Sequence, residues 1–136
     1  MDYRELAVEL FEYVTKTKKP PFAEPMKYSQ GEMGILHFLH FTKDGVTSGE
    51  LSEYFSVSTG RIASALKSLE KKGLIVRRTD AADKRKVIVF ITKEGKNVVV
   101  EKNNHAISIT EKMLRNLDEQ DAKEFVRLAK IIMKKS

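Results

Sequence analysis

The sequence contains no cysteine and no tryptophan among its 136 residues. The lack of cysteine excludes a disulfide framework, thiolate sites for zinc or iron–sulfur clusters, and a cysteine nucleophile or redox sensor. No apolar run approaches the roughly 18 residues of a membrane span, and the N-terminal MDYREL is too charged for a signal peptide. Together with 41% hydrophobic content, these features predict one soluble, cytoplasmic domain with no membrane partner.

Prolines are scarce, and their placement divides the N-terminal part of the chain. All three lie in residues 20–25, which predicts the end of a first helix that carries an apolar stripe over residues 3–14. Ser29 with Glu32 has the spacing of a capping box, so we expect a second helix to begin there. That helix should end near Thr42, before an Asp-Gly turn.

The middle of the chain predicts a helix-turn-helix. Thr47 and Ser58 are expected N-caps of two short helices, and Gly73 ends the second of them. One face of this second helix is apolar, with Ile62, Ala65, Leu66 and Leu69. The opposite face carries Arg61, Ser64, Lys67, Ser68 and Lys71. Two short helices with this division of faces are typical of a DNA-binding helix-turn-helix.

A β-hairpin is predicted directly after Gly73, because the hydrophobic period changes from 3.6 to 2. Residues 74–78 and 87–91 have the β-branched composition of strands, and a polar, basic loop joins them. A hairpin in this place is a wing. Two further helices follow, one after Thr92 and one after Asp118. The predicted fold class is therefore mainly α with a small β-hairpin wing, a winged helix-turn-helix flanked by N- and C-terminal helices.

The net charge of +6 is confined to one segment of the chain. Residues 61–86 hold nine basic and three acidic side chains, whereas the other 110 residues hold 16 of each sign. A solvated surface usually mixes its charges, so a basic block indicates an acidic partner. Nucleic acid is the favoured partner on charge, and an acidic protein is the alternative.

Four segments form a more specific pattern. They are Leu69-Glu70-Lys71-Lys72-Gly73-Leu74-Ile75, Arg77-Arg78, Asp83-Lys84-Arg85 and Ile91-Thr92-Lys93-Glu94-Gly95. With them the chain resembles the MarR family of winged-helix transcription regulators. The resemblance implies a homodimer that binds double-stranded DNA. Within a single domain, 1–136, residues 43–92 would form the winged helix-turn-helix, and 1–42 with 93–136 the helical dimerisation part. Family wings often carry prolines where this chain has Thr79 and Ala81, which predicts a more mobile wing.

Eleven residues are expected to form the DNA-binding surface. They are Ser58, Thr59, Gly60, Arg61, Ser64, Lys67, Arg78, Asp83, Lys84, Arg85 and Lys86. The helix start suits phosphate, the outer helix face suits base edges, and the basic wing residues suit phosphates and the minor groove. By resemblance, Asp83 would orient Arg85 and not contact DNA.

Other functions are weaker alternatives. No P-loop, dinucleotide fingerprint or nucleophile elbow occurs, so we expect no enzyme activity and no cofactor. Family resemblance implies a small aromatic or anionic effector, for which Phe22, Met26, Tyr28 and His37 are candidate contacts, although such a cluster is more often plain core. His37, His40 and His105 leave a metal-responsive repressor as a further alternative, and boundary packing explains them more simply. The remaining alternative is a winged-helix module that docks an acidic protein partner.

Overall fold

The computed structural model describes the backbone of residues 2–16 and 23–134 and the side chains of 2–15 and 31–134. Within these ranges the chain forms six helices and one hairpin. They are α1 (Tyr3–Lys16), α2 (Ala23–Phe41), α3 (Ser48–Phe55), α4 (Thr59–Lys71), β1 (Ile75–Thr79), β2 (Val87–Ile91), α5 (Lys93–Leu114) and α6 (Glu119–Lys134). The predicted fold class is confirmed. Along the described ranges, no helix combines the length and the apolar character needed to cross a lipid bilayer.

The chain divides into two compact units. Residues 1–25 and 101–136 form one, which we call the helical unit, and residues 26–100 form the other, the winged unit. The winged unit therefore includes residues 26–42 and 93–100, which are predicted from the sequence to lie in the helical part.

Local capping signals place most helix starts correctly. The Thr47 hydroxyl accepts the backbone N–H of Glu50 at 3.1 Å and begins α3. The Asp118 carboxylate accepts the N–H of Asp121 at 2.8 Å and begins α6. Ser58 caps α4 in the same way. These predicted caps are confirmed, because each satisfies a backbone donor that the first helical turn leaves free.

The predicted start of α2 is wrong. The helix begins at Ala23 and includes Pro25 in its first turn. Proline is compatible with that turn, since the missing N–H would have no helical acceptor there. Glu32 does not serve a capping box at Ser29, because its carboxylate accepts hydrogen bonds from α4.

The core of the winged unit holds the hairpin by one face only. In the register of the two antiparallel strands, Ile75 pairs with Ile91 and Arg77 with Val89. Ile75, Val89 and Ile91 are buried among the apolar residues of α2, α3 and α4. Val46 adds a single bridge to Val89 beside β2, with backbone hydrogen bonds of 2.7 and 3.2 Å. The base of the wing is thus fixed in the core.

Three hydrogen bonds join the base of the wing to the start of α5. The Thr92 hydroxyl accepts the N–H of Gly95 at 3.0 Å and donates to the carbonyl of Gly73 at 2.8 Å. The Thr92 N–H donates to the Leu74 carbonyl at 3.0 Å. Gly95 packs so closely that a Cβ there would lie 2.2 Å from the Leu74 oxygen. This glycine is needed for close approach between helix and strand.

The helical unit has a smaller core and an exposed apolar surface. Ala7, Ile107, Leu114 and Val126 form its buried cluster, and the Tyr3 hydroxyl donates to the Leu117 carbonyl at 2.8 Å. Several large apolar side chains of α5 and α6 remain exposed on this chain. They are Ile109, Met113, Phe125, Leu128, Ile131 and Ile132.

Candidate nucleic-acid interface

The start of α4 presents polar groups to solvent. Ser58, in an extended conformation, accepts the N–H of Arg61 at 3.2 Å, and Thr59 and Gly60 are exposed beside it. A Cβ at Gly60 would meet only the Ser58 hydroxyl, at 4.0 Å. The fold of this chain therefore leaves room for a side chain there. The helix N-terminus adds a partial positive charge to this exposed turn.

The outer face of α4 matches the predicted reading face at three positions. Arg61, Ser64 and Lys67 are exposed, one turn apart along the helix, as is Lys71 beyond them. The apolar face is buried, with Ile62, Leu66 and Leu69 in the core. Both arrangements follow from the 3.6-residue period of the sequence.

Ser68, predicted on the outer face, is half-buried and contacts α2. Its hydroxyl donates to the Glu32 carboxylate of α2 at 2.9 Å, and Lys72 donates to the same oxygen at 3.0 Å. The hydrogen bond from Lys72, followed by that from Ser68, lowers the pKa of Glu32 below its usual range. These contacts tie the C-terminal end of α4 to α2.

A second ion pair ties α4 to the wing. Arg77 Nη2 of β1 lies 2.7 Å from Glu70 Oε1 of α4. The hydrogen bond from Arg77 lowers the pKa of Glu70, and the same bond raises the pKa of Arg77. Arg77 and Lys72 contribute to the basic excess of residues 61–86, but both are paired with carboxylates of this chain.

The tip of the wing is shaped by two aspartates. Asp83 Oδ1 accepts the Arg85 N–H at 3.0 Å and lies 3.4 Å from the Arg85 Nε. Asp80 accepts the N–H of Ala82 at 3.3 Å, and its own N–H donates to the Lys86 carbonyl at 2.9 Å. The Arg85 side chain is 93% exposed. Asp83 therefore contacts its backbone N–H and its Nε, while the side chain remains accessible to a partner.

Five cations of the basic segment form a surface of uncompensated charge. Among the residues that the structure describes, they have no ion pair within the chain, and all five are exposed: Lys67, Lys71, Arg78, Lys84 and Lys86. With Arg85, they extend over the outer face of α4 and the wing. An array of this kind attracts the phosphates of nucleic acid.

Known proteins share this architecture. The model of the MarR family matches residues 26–86. The transcriptional regulator HosA of Escherichia coli O157:H7 is 31% identical over 91 residues, which cover 67% of either protein. The chain belongs to the MarR family. Its members are transcription regulators and not enzymes, which confirms the resemblance and the expected lack of catalysis.

Solved structures of MarR-family regulators have the same fold. MepR of S. aureus, in its G34K mutant, superposes with a TM-score of 0.69 at 19% identity, covering 83% of this chain and 86% of MepR. Streptococcus pneumoniae FabT, solved in complex with DNA, gives a TM-score of 0.60 at 23% identity over 77% of this chain and 76% of FabT. At these identities the likeness concerns the fold alone.

The expected effector and metal residues of this MarR-family chain are only partly described. Phe22 and the side chains of Met26 and Tyr28 lie outside the described residues. The rings of His37 and His40 each lie 4.5 Å from that of Phe41. Across the described ranges, no group of three potential ligands is arranged to hold a metal ion.

Proposed function

We propose that this MarR-family protein is a homodimeric repressor that binds a pseudo-palindromic operator in double-stranded DNA, and that a small aromatic or anionic effector modulates it. The observation that carries the proposal is the set of exposed basic side chains on α4 and the wing, with Arg85 contacting Asp83 at the wing tip. Because such a protein acts on the chromosome, the proposal also assigns it to the cytoplasm.

Helix α4, which we call the recognition helix, supplies the sequence-dependent contacts. An α-helix fits the major groove, where Arg61 and Lys67 can each form hydrogen bonds with guanine and Ser64 can contact a nearby base or phosphate. Ser58 and Thr59 bind phosphate through their hydroxyls and through the N–H groups of the first turn. The outer face of α4 is exposed and carries polar side chains where a protein interface would carry large apolar ones. This composition favours DNA over a protein partner.

The wing supplies a second contact on the same molecule. Arg85 enters the minor groove, whose negative potential is strongest where A·T tracts narrow it. Asp83 restricts the directions that the guanidinium samples, and Arg78, Lys84 and Lys86 bind phosphates on either side. Phosphate contacts position the protein and strengthen binding to every sequence alike.

Dimerisation is supported by the exposed apolar residues of the helical unit. Met113 is 65% exposed, Ile132 60% and Phe125 49%. Their exposure in one chain is expected if a second copy covers them, because large apolar patches on a protein surface usually mark an interface. Two copies are required to contact half-sites one helical turn apart.

Repression and the effector rest on family resemblance. Phe22, Met26, Tyr28 and His37 are the candidate effector contacts. A compound that lowers operator affinity in the native protein but not in His37→Ala would support both parts of this proposal. A compound that raises operator affinity would argue for an activator.

The test of DNA binding is selection from random double-stranded DNA, followed by sequencing, with native protein and two variants. Arg85→Ala removes the wing-tip guanidinium, and Arg127→Ala removes a guanidinium that is paired with Glu124 on α6 of the helical unit. We expect a pseudo-palindrome with half-sites about 10 base pairs apart for the native protein. It should be enriched equally by Arg127→Ala and poorly by Arg85→Ala. Failure of the native protein to enrich any sequence would refute the proposal and favour an acidic protein partner.

A further inference from the structure

The ion pair between Glu70 and Arg77 joins the two elements that the proposed function assigns to different grooves. Glu70 belongs to the last turn of α4, and Arg77 is the central residue of β1. Their side chains are 41% and 34% exposed, so the pair lies at the surface between helix and wing.

Arg77 lies between the buried base of β1 and its exposed outer end, so its ion pair acts on the part of the strand that leads to the wing tip. Ile75 at the base of the strand is buried, whereas Arg78 and Thr79 nearer the tip are exposed. From Ile75 to Thr79 the strand extends about 13 Å, at about 3.3 Å per residue. A rotation of about 10° at the base would therefore displace Thr79 by about 2 Å and the tip by more. Hydrogen bonds to bases and phosphates do not tolerate a displacement of that size.

The helix end of this ion pair is itself fixed. Ser68 and Lys72 hold the C-terminal end of α4 against α2 through Glu32. The C-terminal end of α4 is thus held by contacts that do not involve Glu70 or Arg77.

The same ion pair makes the positive charge of Arg77 less available to DNA. Arg77 lies within the basic surface, but its guanidinium is directed to Glu70 at 2.7 Å. If the only use of this arginine were attraction to phosphate, the carboxylate beside it would oppose that use.

We propose that Glu70 is a positioning residue, whose ion pair with Arg77 sets the angle between the recognition helix and the wing so that both engage one operator together. This inference rests on the proposed function. It assigns to Glu70 a role in specificity, expressed as the ratio of operator affinity to random-DNA affinity, with no contact between Glu70 and DNA.

The test compares Glu70→Gln with the native protein and with Glu50→Gln as a matched control. Glu50 is a carboxylate of α3 in the same unit, 4.0 Å from Lys43, and its substitution changes the net charge equally. Kd is measured for the selected operator and for random DNA of the same length, over a series of salt concentrations. A thermal melt of each variant confirms that it is folded.

For Glu70→Gln we expect the specificity ratio to fall about threefold, the scale of one surface ion pair. Random-DNA binding should be unchanged or tighter, and the salt slope should rise by about 0.9 as the released Arg77 reaches a phosphate. In Glu50→Gln both affinities should shift together. The charge-reversed double variant Glu70→Arg with Arg77→Glu should recover the native ratio, which a role of the carboxylate in attraction or repulsion of DNA would not produce.

Three outcomes would overturn the inference. The first is a specificity ratio in Glu70→Gln equal to that of the native protein. The second is an equal loss of operator affinity and random-DNA affinity in folded Glu70→Gln. The third is a double variant whose specificity ratio is no higher than that of Glu70→Gln. A native protein that shows no preference between operator and random DNA would instead overturn the proposed function itself. The two failures are therefore distinguishable.

Discussion

Substitution of Gly95 by alanine tests the closest packing in the winged unit. The new Cβ would lie 2.2 Å from the Leu74 carbonyl oxygen and 2.7 Å from Cγ1 of Ile91. A carbon and an oxygen in contact need about 1 Å more than the first distance, and the Leu74 oxygen is held as the acceptor of Thr92. The start of α5 must therefore move away from the wing.

That movement weakens the three hydrogen bonds centred on Thr92, which contribute about 1 kcal/mol each. Alanine recovers about 1 kcal/mol because it favours helix over glycine. The expected result is a loss of about 2 kcal/mol in the free energy of unfolding, comparable with other cases of overpacking.

The assay is urea unfolding followed by circular dichroism at one fixed chain concentration, because the proposed dimerisation would make the stability depend on concentration. Gly31→Ala is the control, since Gly31 lies within α2 and a Cβ there would meet nothing within 4 Å. It should stabilise the protein by about 0.5–1 kcal/mol. An equal increase in the free energy of unfolding for Gly95→Ala and Gly31→Ala would show that Gly95 is not required for close packing.

Three further predictions concern the winged unit. Ser56→Gly should stabilise by about 0.5 kcal/mol in the same assay, because Ser56 has a left-handed backbone, with φ of 55°, and glycine adopts it without a Cβ penalty; a loss of stability would contradict this. Glu32→Gln should reduce stability by less than about 1 kcal/mol at neutral pH, given the partial exposure of its pair with Lys72. Because the folded pKa of Glu32 is lowered, that difference should be full above about pH 4.5, the ordinary value, and should disappear as the pH falls through the lowered pKa; a difference that did not change with pH would refute the assignment. Asp83→Asn should leave unfolding unchanged but reduce the preference of Arg85 for A·T flanks, measured as the Kd ratio of operators with A·T and G·C flanks; an unchanged ratio would contradict the orienting role.

Features encoded over a few residues could be predicted from the sequence. The caps at Thr47, Ser58 and Asp118 act on N–H groups three residues away, so their spacing is sufficient to identify them. Strand β2 was predicted with the bounds that the structure has, and β1 is displaced by one residue. The exposed face of α4 follows from the helical period in the same way.

The errors arise from contacts between residues far apart in the chain. Glu32 has the spacing of a cap, but Lys72, 40 residues away, provides a stronger partner for its carboxylate. Arg77 appears as a free cation in a count of charges because only the fold brings Glu70 within 2.7 Å of it. The prolines do not exclude a helix start at Ala23, because proline breaks the interior of a helix but is compatible with its first turn.

The wing also has an edge that could pair with another chain. Val46 occupies part of the edge of β2, whereas the opposite edge of β1 has no partner strand among the described residues. Exposed strand edges are templates for aggregation, and charged side chains are a common protection against it. Arg77 and Arg78 interrupt what would otherwise be a β-branched run from Ile75 to Thr79. Variants meant to abolish DNA binding should therefore replace Arg78 by glutamine or glutamate. Valine or isoleucine there would extend the β-branched run along the exposed edge of β1 and promote aggregation.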